Sequence, residues 1–448
     1  MELPTHRIPP QVFAALAAGG GGGDAVRLLA RVQYSKHVLL VRQVVESARA
    51  AGHEQAALAR HGYDLLAGAQ DRDRAAVEAV LRHPPVGAWA RHAIQMLRDA
   101  RTRQQAAPGQ LSCVAAAATI RAGLNCSAEV PVTDGAVMLP SLGRIDLPER
   151  ARNARARLTV AGGRAEIVSG DWHLRLPADL SSDAPEWAGL RGLAVETAGK
   201  KLEILIEDLD PWRMPGSGNL RGRLSPAEAE RWQSALHGAW TVVASQHQVL
   251  AEEVAAAIRV FTPLMSPPAG LVSATSCETF GSVALSAPPD HVSLAVTLAH
   301  ETQHAKLSAL LDVVTMLLPD DGRRYYAPWR DDPRPLAGLL QGAYAFLGVA
   351  GFWRRQAGVQ AARPDATTAY TEFARWRDAV RLVVTTLAAS GRLTAYGDRF
   401  VEGMARTVDA WAAEPVPADA AGRAGEVARE HRARWVRVNG QAAKAAVG

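Results

Sequence analysis

Apolar residues recur every three to four positions through most of the first 125 residues, the period of a helix with one buried face. Between Asp24 and Ala51, Val26, Leu28, Leu29, Val32, Leu39, Leu40 and Val44 fall on one such stripe. Ahead of it stand five consecutive glycines, Gly19–Gly23. Glycine gives up more backbone freedom than any other residue on entering a helix, so the run predicts a flexible connection. A phosphate cradle would need a strand before the glycines and a Lys/Ser pattern after them, and neither is present. From 126 to about 213 the period shortens. Val130–Val137, Leu158–Val168, His173–Leu176 and Leu202–Ile206 alternate or run apolar briefly. Thr133-Asp134-Gly135 and Ala161-Gly162-Gly163 punctuate them, which predicts antiparallel hairpins, with a loop at Ser181–Pro185.

Helical pattern returns at Ser225-Pro226-Ala227-Glu228, an N-cap followed by proline at the first helical position and an acidic first turn. The pattern runs past Trp240 towards Val260. Leu271–Ser286 reads as extended, with a strand at Ser282–Ser286, and Pro288-Pro289-Asp290 caps a helix from His291 to about Leu317. Further helices are expected near 335–357, 366–389, 394–413 and 418–438. The expected fold is α+β and predominantly helical. It divides into an N-terminal helical region (1–125), a strand-rich region (126–215) and a helical metallo-domain with an edge strand (216–448).

Composition narrows the classes. With 48% hydrophobic and 21% charged residues over 448 positions, the chain is not a mainly disordered one. Three cysteines, Cys113, Cys126 and Cys277, are too few to staple it and are read as reduced thiols in a cytoplasmic protein. No apolar run approaches the roughly 20 residues that span a bilayer, and no signal pattern opens the chain, so no membrane partner is expected. The net charge of +5 is spread along the sequence rather than held in a block, which argues against a nucleic-acid partner.

One motif carries chemistry. His300-Glu301-Thr302-Gln303-His304 is an HExxH sequence in the middle of an expected helix. Residues four apart lie one turn above each other, so both imidazoles can reach one metal ion, and Glu301 can act as a base or anchor beside it. A strand at 281–286 ahead of the helix is the arrangement of zinc peptidases, hence a zincin-like expectation. A zinc peptidase also needs a third ligand, commonly a glutamate on the next helix. Arg334–Arg355 contains no Asp or Glu, and no further histidine pattern follows His304. Gln341, Glu372, Glu402 and His431 are the downstream candidates.

Leu298–His304 together with Tyr326-Ala327-Pro328-Trp329-Arg330 and Asp332-Pro333-Arg334-Pro335-Leu336 resembles the HExxH-type peptide-modification proteins encoded beside ribosomally made peptides. Leu340-Gln341-Gly342-Ala343-Tyr344, Phe352-Trp353-Arg354, Ser390-Gly391-Arg392-Leu393-Thr394 and Ser35-Lys36-His37 extend the similarity over nearly the whole chain. The resemblance implies an iron(II)- and 2-oxoglutarate-dependent dioxygenase that uses O2 to β-hydroxylate a ribosomally synthesised precursor peptide, and it allows a radical-type peptide maturase as a further partner. His300 and His304 would bind iron, with Gln341 as the candidate third ligand, although an amide oxygen is a poorer donor than carboxylate or imidazole. The far carboxylate of 2-oxoglutarate calls for an arginine fork, and Arg330 and Arg334 are favoured because flanking prolines stiffen their backbone.

Alternatives stay open for each. Arg330 and Arg334 could form surface ion pairs with Asp331, Asp332 or Asp312, and Tyr326 is a hydroxyl donor or a core aromatic. Trp329, Phe346, Phe352, Trp353, Phe373 and Trp376 are expected as core, Cys277 as a thiol in a strand, and His37, His173, His247 and His291 as packing or surface residues. The peptide is expected to add as a strand at Val283, Ala284, Leu285 and Ser286. The competing functions are a zinc metallopeptidase with Glu301 as base, and an inactive peptide-binding relative.

Overall fold

The computed structural model describes residues 6–266, 271–360 and 366–445. Six helices come first: α1 (Pro10–Ala17), α2 (Gly22–Ala50), α3 (Ala56–Arg72), α4 (Arg74–Leu81), α5 (Pro84–Arg98) and α6 (Leu111–Arg121). Nine strands follow: β1 (Cys126–Pro131), β2 (Ala136–Leu139), β3 (Gly143–Asp146), β4 (Arg155–Ala161), β5 (Arg164–Ser169), β6 (Trp172–Arg175), β7 (Trp187–Gly189), β8 (Arg191–Thr197) and β9 (Lys200–Ile206). The remainder is α7 (Pro226–Gln246), α8 (Gln248–Ala257), β10 (Val260–Pro263), β11 (Ser273–Ala274), β12 (Ser282–Leu285), α9 (His291–Leu311), α10 (Leu336–Gln360), α11 (Ala366–Ala389), α12 (Ala395–Ala412) and α13 (Ala418–Ala445). The fold is α+β and predominantly helical.

Local chemistry explains most of these limits. Gly162 and Gly163, both at positive φ, make a two-residue turn between Ala161 and Arg164, so the apolar run Leu158–Val168 folds into the hairpin β4–β5. Along β4, Ala156, Leu158 and Val160 are buried and their neighbours are not, the alternation of a sheet with one dry face. Ser225 accepts from the Glu228 amide while Glu228 reaches back to the Ser225 amide, a complete capping box. The helical pattern beyond Trp240 breaks at His247 and then ends at Ala257, where β10 begins. The motif helix stops at Leu311 rather than 317, because Met316 and Leu318 pair their backbones with Thr394 and Arg392. Cys277 lies exposed in a turn, not in a strand.

Three sheets form. β1-β4-β5-β6 and β2-β3-β7 are antiparallel, and β11-β12-β10-β9-β8 is mixed. In the mixed sheet β10 runs parallel to both β9 and β12, while β11 pairs antiparallel with the outer side of β12. Two expectations change here. The sheet joins strands from both sides of position 215, so that boundary is bridged by hydrogen bonds. Moreover, β12 is an interior strand: Val283, Ala284, Leu285 and Ser286 are all at most 1% exposed. An incoming peptide has no free ladder at those four residues, and the strand-addition site expected there is not present.

Packing ties the ends of the chain together. One core joins α2–α6 to β1–β7. A second joins Val26 of α2 to β8, β9, α7, α8 and the first half of α9. A third joins Leu16, Ala17, Ala25 and Leu29 to α9–α12. The long helix α2 therefore belongs to all three cores. The five-glycine run makes an elbow between α1 and α2, bent by 108°, and its last two glycines form the first turn of α2. Gln303 Nε2 and Lys306 Nζ, both on α9, donate to the Gly19 carbonyl at 2.9 and 3.1 Å. Lys306 is buried and paired with Glu253 at 2.9 Å, and Glu253 also accepts from the Gly22 amide. Among the described residues, α10 is long and apolar enough to cross a membrane by length and composition, contrary to expectation. Most of it is packed inside the protein, against α9 and α11.

Candidate metal centre

Helix α9 starts at Asp290, whose side chain accepts from the Ser293 amide. Leu294, Ala295, Leu298, Ala299, Ala305, Leu307, Ala309 and Leu310 are all buried, on every side of the helix. Such an all-round apolar helix belongs inside a protein, and α2, α7, α8 and α10 surround it. A rigid interior helix holds His300 and His304 one turn apart, their rings edge to face with centroids 4.7 Å apart. Candidate ligand atoms of His300, Glu301 and His304 all lie within 4.8 Å of one another.

Hydrogen bonds orient both imidazoles. His300 Nδ1 lies 3.0 Å from Glu301 Oε1, and His304 Nδ1 lies 3.0 Å from Gln341 Oε1. With each Nδ1 donating to an oxygen, Nε2 is the ring atom left for a metal. Glu301, 1% exposed, accepts further bonds from Ser273 Oγ at 2.7 Å and from Thr275 Oγ1. Burial pushes its carboxyl up, but the bonds from His300 and Thr275 and the charges of both histidines outweigh this and hold it at about 2. Burial, and the neighbouring His300, push the His304 imidazole down.

The other expected residues divide. Gln341 is not placed as a third ligand: its oxygen is turned to His304 Nδ1 and its amide nitrogen lies 3.4 Å from Ser308 Oγ. Glu372 accepts from Trp376 Nε1 at 2.8 Å, and Glu402 faces Arg406. His431 is taken by the Tyr326 hydroxyl at 2.9 Å, so Tyr326 meets α13 and not the histidine pair. Arg330 and Arg334 both bind Asp332, at 2.9 and 3.0 Å.

Three of the aromatics expected in the core also adjoin the site, and Phe346 and Trp329 pack against the core of α9–α12 as expected. Phe346 stands edge-on to His300 with centroids 5.0 Å apart, and Trp329 and Trp376 stack on it at 4.9 and 4.2 Å. Ser273 and Thr275 were also missed, although their i, i+2 spacing is the strand signal for two side chains on one face. A second titratable group had no signal in sequence spacing. His83 Nε2 lies 2.7 Å from Glu207 Oε2, with Asp210 beside them and all three buried. The other Glu207 oxygen accepts from the Leu209 and Asp210 amides. Burial, reinforced by Glu207, raises the Asp210 carboxyl to about 8.

Of the known protein families searched, none matches the chain, and no curated protein matches it.

Proposed function

We propose that the chain is an iron(II)- and 2-oxoglutarate-dependent β-hydroxylase of a ribosomally synthesised precursor peptide, with a zincin-like helix reused for oxygenase chemistry. The observation that carries this reading is the state of Glu301. A zinc peptidase needs that carboxylate free to take a proton from metal-bound water. Here both of its oxygens are occupied, by Ser273 and His300 on one side and Thr275 on the other. It serves as an anchor for His300. Two firm histidines and no carboxylate on the following helix suit an oxygenase better than a closed structural site.

When bound, iron(II) with 2-oxoglutarate and O2 supplies the oxidising power that inserts one oxygen atom at a side-chain Cβ. The chain's own part is positioning. Glu301 and Gln341 hold the two imidazoles with Nε2 forward, and Phe346, backed by Trp329 and Trp376, keeps water from that side of His300. Arg330 and Arg334 share one partly exposed carboxylate, Asp332. Such exposed pairs are weak, so an incoming dicarboxylate can compete for either fork at little cost.

The test is mass spectrometry of a neighbouring precursor peptide, incubated anaerobically with iron-loaded protein and then given oxygen with and without 2-oxoglutarate. The expected result is a gain of one oxygen atom only with the keto acid, and none with His300→Ala. Cleavage independent of the keto acid would replace this reading with the zinc peptidase. An unchanged peptide bound to iron-loaded protein would replace it with the inactive relative.

A further inference from the structure

Basic residues dispersed in the sequence converge in the fold. A groove of about 900 Å³ runs between α2, α4 and α8. Its walls carry Arg27 and Arg31 from α2, Arg74 and Arg82 from α4, Lys200 and Lys201 from β9, and Arg259 at the foot of β10. Only two carboxylates, Glu78 and Glu252, line it. Arg82 binds Glu78 at 2.6 Å and Lys200 binds Glu252 at 3.2 Å, which uses up both. Arg27 and Lys201 turn to Asp24 and Glu203. Arg31, Arg74 and Arg259 make no ion pair among the described residues. The Arg259 guanidinium is pushed down by burial and by the nearby Arg82 charge, against an opposing pull from Glu78.

Shape selects among anions. The α2 wall from Arg27 to Val38 is about 16 Å long at a rise of roughly 1.5 Å per residue, and an extended peptide covers that with about five residues. The cations come from three walls, α2, the two ends of α4 and the β9–β10 side, more positive groups than a single phosphate needs. Ala30, Ala251, Ala255 and Ala256 form the lining between them, small enough for a backbone to lie close. Tyr34 is the one phenol or indole in the lining, too little to stack successive bases of a single strand. Both α2 and α8 pack on α9, so the groove shares its walls with the helix of the metal centre.

We propose that this groove docks an extended acidic segment of the peptide substrate, its carboxylates taken by Arg31, Arg74 and Arg259. The identity of the partner rests on the peptide-modifying reading, whereas the anion site itself does not. The experiment therefore uses metal-free protein and no turnover. Fluorescein-labelled hexaglutamate is titrated and followed by anisotropy, with labelled hexalysine and an oligothymidylate as comparisons.

Hexaglutamate is expected to bind in a salt-dependent way and hexalysine not at all. The triple variant Arg31→Glu/Arg74→Glu/Arg259→Glu should lose at least about tenfold in affinity. Arg429→Glu, on the distant α13, should lose nothing. If the triple variant does not fold, Lys200→Gln/Lys201→Gln on the exposed rim gives the same reading, with a smaller loss. No hexaglutamate binding, equal binding by the variants, or tighter binding of the oligothymidylate would overturn the proposal. None of those outcomes touches the oxygenase reading, which stands or falls on the mass of the peptide.

Discussion

At the scale of single residues, the site turns on which nitrogen of each imidazole is occupied. Gln341 decides this for His304 by accepting from Nδ1. Gln341→Leu removes that acceptor but no ligand, and outer partners of this kind typically carry 10- to 100-fold in metal affinity. The expected outcome is a drop of about that size in iron or zinc affinity by titration, with one equivalent still bound at saturation. Loss of stoichiometric binding would instead make Gln341 a ligand. The histidines and Glu301 were legible in the sequence because a four-residue helical spacing fixes their geometry in advance. The role of Gln341 was not, since whether an amide faces the metal or the ring beside it depends on how α9 and α10 are rotated against each other. Tyr326 and His431 show the same gap: 105 residues separate a hydrogen-bonded pair, and no local rule links them.

Among elements, the contrast lies between the capping box of α7 and the placement of β12. Ser225 and Glu228 sit three residues apart, so the sequence contains the whole interaction. Strand β12 was recognisable as a strand, but its neighbours β10 and β11 decide whether it forms an edge, and β10 was hidden behind a helical pattern. Ala284→Pro would therefore break a ladder between two partners, and it probes folding rather than docking. The glycine elbow carries a sharper prediction. Gly19 has φ of +88°, and an added Cβ would come within 2.8 Å of a Leu347 methyl. Gly19→Ala should cost about 1–3 kcal/mol in urea unfolding, whereas Gly123→Ala, also at positive φ but with open space around it, should lose only the backbone share.

For the whole molecule, acid sensitivity follows from two buried histidines outside the HExxH motif. Burial lowers His37 and His247 to about 4 in the folded chain. His247 Nε2 accepts from the Gln356 amide, which needs neutral imidazole, and its ring stacks on Phe352. A depressed folded pKa means stability that is complete above the unfolded value near 6.5 and is lost as pH falls towards 4. Each group contributes roughly 3 kcal/mol over that window. The urea midpoint should fall steadily from pH 6.5 to 4.5, and His247→Gln should flatten part of that slope; an unchanged slope would refute the assignment. The sequence spread its charge evenly along the chain, yet the fold gathers seven cations into one groove, because α2, α4, β9 and the 259 turn meet only in three dimensions. The elbow at Gly19–Gly23 has a consequence for synthesis. Its anchors, Gln303 and Lys306, leave the ribosome some 285 residues later, so α1 must wait, with Leu16 and Ala17 uncovered, until α9, α10 and α12 emerge. A chain that stalls between those points would present a greasy N-terminal hook to chaperones, and cutting the protein at 215 would leave the half that carries the HExxH helix without its oldest-made wall.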